Sequence, residues 1–212
     1  MKTILLTLSV ISLSLIIGNA QVLSKNDLKQ KPTFNSFAEA FANPTEAYKI
    51  TSVKASHSVL PENIGLLKNL QILNLGINNL ETLPAEIGQL RNLQELDLGN
   101  NKLSTLPNEL AALKNLKVLK LWKNQFVLFP EILASIETIE VLDLSNNQLT
   151  ELPSSILKMK GLKSLDLSGN PISKFPKEMS QMTNLKEITL TDTGLSEKKV
   201  KKCLPTETKI IF

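Results

Sequence analysis

Proline recurs every 23 residues along this chain, at Pro61, Pro84, Pro107, Pro130, Pro153 and Pro176. These are six of its ten prolines, and each follows Leu or Phe: Leu60, Leu83, Leu106, Phe129, Leu152 and Phe175. A ladder of asparagines keeps the same period, at Asn78, Asn101, Asn124, Asn147 and Asn170. One inserted residue would throw a stack of identical units out of phase, so a period held this strictly means copies of one small unit packed side by side. The chain therefore reads as a solenoid. Its function is expected on a repeated surface rather than in a catalytic pocket.

Within the unit, the clearest copies run Leu93, Leu96, Leu98, Asn101, Leu103, Leu106, Pro107 and Ile139, Leu142, Leu144, Asn147, Leu149, Leu152, Pro153. The Leu-x-Leu alternation has the period of a strand, with leucines inward and the intervening residues outward. Asparagine at the following turn can satisfy backbone groups of its own coil and the next, which would otherwise be buried unpaired. Proline sets φ near −65° where the chain turns to the outer side. The pairs Ile87 and Leu90, Leu110 and Leu113, Ile156 and Met159, and Met179 and Met182 then suit a helical or 3₁₀ turn with its apolar side inward.

This pattern resembles the leucine-rich-repeat family in its 23-residue bacterial form. The resemblance implies an α/β solenoid: a curved parallel sheet with short helical or 3₁₀ turns on the convex side. Keeping phase from Ile50 to Ile211 puts strand centres at 50, 73, 96, 119, 142, 165, 188 and 211, about eight strands in all. At about 4.8 Å between strands the sheet spans roughly 34 Å. The repeats are assigned to residues 47–195. The first is degenerate, with Ser52, Ala55 and His57 at the apolar, Asn and Leu positions. At the far end Thr193 replaces the ladder asparagine.

Flanking segments follow from composition. Met1, Lys2 and Thr3, an apolar run over residues 4–18, and the small residues Gly18 and Ala20 form a secretory signal over residues 1–20, cut before Gln21. Export to the periplasm, the medium or the cell surface is therefore expected, with no stable membrane span after cleavage. Residues 21–33 are polar and lysine-rich and read as a flexible lead-in. Residues 34–46 read as an N-terminal cap helix, with Phe34, Phe37, Ala38, Ala40 and Phe41 covering the open end, Ser36 capping, and Asn43-Pro44 terminating. Residues 196–212 read as a C-terminal cap: a helix from Ser196 through Lys202, ended by Pro205, then a last strand.

No constellation for catalysis is present, and no cofactor is implied. His57 is the only histidine, which rules out multi-histidine metal sites and suits a partly buried structural role. Cys203 is the only cysteine, so no internal disulfide can form, and a small buried hydrophobe in the cap is expected. Asp97, Asp143 and Asp166 form an acidic set that Lys120 interrupts, a poor calcium site. The net charge of +4 and a single tryptophan do not suggest nucleic-acid binding. Lys198, Lys199, Lys201 and Lys202 read as the solvated face of the cap helix, or secondarily as a contact to an anionic surface.

The outward strand positions carry what remains. One column reads Asn74, Asp97, Lys120, Asp143, Asp166, Thr189, and Lys120 is expected to bridge Asp97 and Asp143. A second reads Ile72, Glu95, Val118, Val141, Ser164, Glu187. Trp122 stands where other repeats carry Gly76, Gly99, Ser145 and Ser168, either as a partner contact or packed over its neighbours. Val118, Lys120, Trp122, Lys123, Val141 and Asp143 are the candidate partner-binding residues. A non-enzymatic monomer is expected, and the resemblance implies a module that holds a protein or peptide on its concave face; a scaffold role in the envelope without one tight ligand is the alternative. Some bacterial leucine-rich-repeat effectors add a ubiquitin-ligase domain, for which repeats running almost to Phe212 leave no room.

Overall fold

The computed structural model describes residues 21–212, and the leader expected over residues 1–20 lies outside the described residues. Stacked repeats build one sheet of parallel strands in chain order: β1 (Lys49–Thr51), β2 (Ile72–Asn74), β3 (Glu95–Asp97), β4 (Val118–Lys120), β5 (Val141–Asp143), β6 (Ser164–Asp166), β7 (Glu187–Thr189) and β8 (Lys209–Ile211). Side chains alternate across a strand, so in β2 to β7 the middle residue enters the core and both flanking residues face the concave side. Leu73, Leu96, Leu119, Leu142, Leu165 and Ile188 are at most 1% exposed. The pairing Leu73↔Leu96, Leu96↔Leu119 and Leu119↔Leu142 keeps the 23-residue phase. The ladder continues past the strands, with Leu98 N donating to Lys120 O and Leu121 N to Asp143 O, each at 2.8 Å.

On the convex side each ladder proline opens a 3₁₀ turn, at φ between −78° and −62°. The turns are Glu62–Leu66, Ala85–Gln89, Asn108–Ala112, Glu131–Ser135, Ser154–Lys158 and Lys177–Gln181. Their inward residues Ile64, Ile87, Leu110, Leu133, Ile156 and Met179 are fully buried. Two layers of apolar side chains, one from the strands and one from the turns, thus form a continuous core.

The ladder asparagines are buried and bonded in three directions. Asn124 Nδ2 donates to Leu121 O of its own coil and to Leu98 O of the preceding one, both at 3.0 Å, while its Oδ1 accepts from Leu103 N at 2.9 Å. Asn101, Asn147 and Asn170 repeat this arrangement. Thr193 reproduces only the bond to its own coil, Oγ1 to Leu190 O at 2.7 Å. Outside the core, a second set of amides stitches neighbouring coils: Asn69, Asn92, Asn115 and Asn184 each donate Nδ2 to a carbonyl 24 residues earlier.

The ends correct several expectations. Residues 21–33 are not simply a flexible lead-in, because they carry helix α1 (Lys25–Gln30), N-capped by Ser24 and with Leu28 only 3% exposed. Ahead of α1, Gln71 and Gln94 hold the chain. Gln71 Oε1 accepts from Leu23 N at 2.8 Å, Gln71 Nε2 donates to Gln21 O at 2.7 Å, and Gln94 Nε2 donates to Leu23 O at 2.9 Å. The cap helix proper is α2 (Phe37–Ala42), shorter than residues 34–46; Ser36 Oγ accepts from Glu39 N and Asn43 closes it. Phe37 and Ala40 are buried but Ala38 is exposed, and Phe34 instead bridges to β1, with Thr51 N donating to Phe34 O at 2.9 Å.

At the other end, helix α3 (Glu197–Lys201) starts after Ser196, whose side chain makes no capping bond, contrary to expectation. The last strand also slips: Ile188 pairs with Ile210, not Ile211. The cap replaces the proline turn with a segment one residue shorter, and a slip of one residue exchanges the two faces of a strand. Ile210 therefore packs against the core and Ile211 joins Thr189 on the outward column.

Candidate binding surface

Parallel register places the two outward columns side by side on the concave face. Val118 and Val141 are Cα partners at the starts of β4 and β5, and Lys120 and Asp143 are partners at their ends. Both valines and Asp143 are half-buried, and Lys120 is exposed. Trp122 and Lys123 are not on a strand. They follow β4 in the turn that leads to Asn124, and Lys123 takes a left-handed φ of 51°.

The acidic column has a structural duty that its spacing alone does not reveal. Asp97, Asp143 and Asp166 each accept the backbone N–H two residues on, from Gly99, Ser145 and Ser168, at 2.9–3.0 Å. Asn74 does the same for Gly76. Asp143 and Asp166 also accept the hydroxyls of Ser145 and Ser168 at 2.6 and 2.7 Å. The bridge expected from Lys120 to two carboxylates forms on one side only, to Asp97 at 3.5 Å. Burial pushes the Asp143 carboxyl above its usual range; the Ser145 bonds oppose that rise, neighbouring Asp166 adds to it, and Lys120 offsets part of it.

Trp122 is half-buried rather than fully exposed, because its indole lies on Gly99 of the preceding coil. A Cβ on Gly99 would run into the indole Nε1. The glycine and the tryptophan are thus one feature, a flat aromatic shelf made possible by a missing side chain. Beside it, Ile72, Asn74, Glu95, Asp97, Val118 and Lys120 line a shallow dent of about 70 Å³. The candidate residues of β4 and β5 therefore open toward β2 and β3 as well, a direction visible in the same two columns but not singled out there.

Sequence reasoning also passed over Val127 and Leu128, 52% and 70% exposed beside a cleft of about 400 Å³. Other repeats carry Glu81-Thr82, Ser104-Thr105, Thr150-Glu151 and Ser173-Lys174 there, so comparing columns would have found them. His57 is half-buried as expected, its Nε2 2.9 Å from Ser52 Oγ and its ring 5.5 Å from that of Phe37. Cys203 is not the buried hydrophobe expected: its thiol is free and partly exposed, donating to Lys199 O at 3.4 Å. Among the described residues no group of His, Cys, Asp or Glu side chains is arranged to hold a metal ion, and no helix is long and apolar enough to cross a membrane.

A stacked parallel sheet with 3₁₀ turns and a buried asparagine ladder defines a class of repeat protein. The leucine rich repeat family matches residues 68–126 and 137–195, and the chain belongs to that family. Such repeats generally serve as protein-binding modules and are typically non-enzymatic. Among solved structures, a leucine-rich-repeat protein of Leptospira interrogans is 28% identical, with a TM-score of 0.69 over 85% of this chain and 58% of that one. An internalin of Listeria monocytogenes shares the fold at 19% identity, with a TM-score of 0.59 over 78% of this chain and 46% of that one. The chain thus spans 58% and 46% of the lengths of these structures. No match was found among curated proteins.

Proposed function

We propose that the protein is an exported, non-enzymatic binding module whose concave face holds a protein or peptide partner through Val118, Lys120, Trp122, Lys123, Val141 and Asp143. One observation carries this reading. A single repeat breaks both the acidic column, with Lys120, and the small-residue column, with Trp122, and the indole is accommodated by Gly99. The result is an aromatic shelf beside two half-buried valines, rimmed by a lysine–aspartate pair. An apolar anchor with a polar rim is the composition of an interaction hot spot. The sheet is rigid and preformed, so binding costs little ordering.

Affinity capture with the purified protein and with Trp122→Ala tests the assignment. The expected outcome is a specific partner whose affinity falls by about 2 kcal/mol or more in the variant, with stability nearly unchanged. A partner indifferent to Trp122 but sensitive to Glu109→Ala on the convex side would overturn it. Export rests on the charged, apolar and small-residue zones of residues 1–20. Intact mass of the protein recovered from fractionated cells should begin at Gln21; a retained Met1 would refute cleavage.

A further inference from the structure

We infer that the C-terminal cap carries a second binding site, separate from the concave patch, which takes an acidic peptide segment of a partner protein. The site is a cleft of about 520 Å³ between the sixth proline-opened turn and α3. Phe175 and Lys177 contribute one wall, and Ser196, Lys198, Lys199 and Lys202 the other, with the Cys203 thiol at the edge. A volume of this size lies within the range of roughly 300–1,000 Å³ typical of ligand clefts.

Charge is what sets this cleft apart. Elsewhere on the solenoid some lysines pair with a glutamate of the neighbouring coil, Lys102 with Glu81, Lys163 with Glu140, Lys174 with Glu151 and Lys209 with Glu187, while others such as Lys114, Lys117 and Lys186 stand singly in solvent. In the cleft four lysines converge on one concavity, and of these Lys199 donates Nζ to Ser173 O at 3.5 Å. Lys177, Lys198, Lys199 and Lys202 make no ion pair among the described residues, and no carboxylate lines the walls. The acidic residue of α3, Glu197, is engaged by Lys201 at 2.6 Å. Lys198 and Lys202 are spaced i,i+4 and Lys199 and Lys202 i,i+3, so like charges crowd at the C-terminal end of α3; the helix dipole favours cations there, and a bound anion would relieve their mutual repulsion.

The chemistry of the walls selects the anion. Phe175 is half-buried, packed against the core on one side and facing the cleft on the other. Ligand and wall must therefore match an apolar contact as well as a charge. The cations are ammonium groups on long stems, without the planar fork of arginine that matches phosphate bidentately. Lysines of this kind suit carboxylates at several spacings around one apolar side chain. Ser196, whose hydroxyl makes no capping bond, adds a hydrogen-bonding group at the mouth.

Fluorescence polarisation tests this with three dye-labelled peptides: one of Asp and Glu around a central Leu, its Asn and Gln counterpart, and the acidic peptide with Ser for Leu. Saturable micromolar binding is expected for the first alone. It should weaken about tenfold or more in Lys199→Glu/Lys202→Glu, and fall as salt rises. Phe175→Leu should reduce the preference for the leucine peptide over its serine counterpart. Lys114→Glu/Lys117→Glu, the same charge change far along the solenoid, and Trp122→Ala should leave binding intact. The proposal is overturned if no peptide saturates, if the neutral or leucine-free peptide binds equally well, if inorganic triphosphate displaces the labelled acidic peptide as effectively as the unlabelled peptide does, or if the distant double variant loses as much as the cap variant. The Trp122 arm keeps this outcome independent of the concave-face assignment.

Discussion

Ile77 shows how strongly the stack constrains a single residue. Its φ is 57°, and the residues at the same place in other coils, Lys54, Asn100, Lys123, Asn146, Gly169 and Asp192, are all left-handed too. Glycine, asparagine and aspartate visit this region readily, whereas a β-branched side chain crowds its own carbonyl there. Ile77 is 36% exposed, so its burial offsets the strain less than that of a fully buried isoleucine would. Ile77→Asn should raise stability by about 1 kcal/mol, read as a higher denaturant midpoint with an unchanged slope. A lower midpoint would show that the isoleucine is held by contacts that outweigh its backbone cost. Lys123 shares the left-handed φ without the β-branched crowding, at the edge of the candidate binding surface, where the turn carries it past the end of β4.

At the scale of elements, the arm ahead of α2 is the least expected feature. Gln71 is fully buried, and its amide joins Gln21, Leu23 and Gln94. At the corresponding place later coils carry Lys117, Glu140, Lys163 and Lys186, side chains that remain in solvent or pair there. Gln71→Leu keeps most of the bulk and removes both ends of the amide. The arm should then detach while the stack survives: trypsin should cut at Lys25 and Lys29 faster, and the global unfolding free energy should fall by only about 1–2 kcal/mol. Unchanged cleavage there would mean that burial of Leu28 alone secures the arm.

For the whole molecule, stability is a sum over repeats and the interfaces between them. Asn124 lies mid-stack and joins its own coil to the preceding one, so its loss strikes an internal interface rather than an end. Asn124→Leu leaves Leu98 O, Leu121 O and Leu103 N without their side-chain partner. The expected cost is about 3 kcal/mol, with a shallower denaturant transition as the two halves uncouple. Asn170→Leu, nearer the C-terminal end, should fray that end while the main transition stays steep. Equal and cooperative losses in both variants would argue against nearest-neighbour behaviour.

The sequence by itself determined the period, the buried leucines, the proline-opened turns and the asparagine ladder. Each follows from a rule that repeats with the chain: alternation sends Leu73 or Leu96 inward, and one phase brings every copy into the same surroundings. The candidate surface was legible as two columns and an odd tryptophan for the same reason. Tertiary structure decided what does not share the period. Gln71 and Gln94 are 23 residues apart, but their partners Gln21 and Leu23 belong to no repeat. Trp122 lies on Gly99, β8 slips by one residue, and Phe175 meets the lysines of α3 across one cleft. A periodic pattern specifies which side of the backbone a residue faces; which aperiodic segment then covers it depends on the shape of the finished stack.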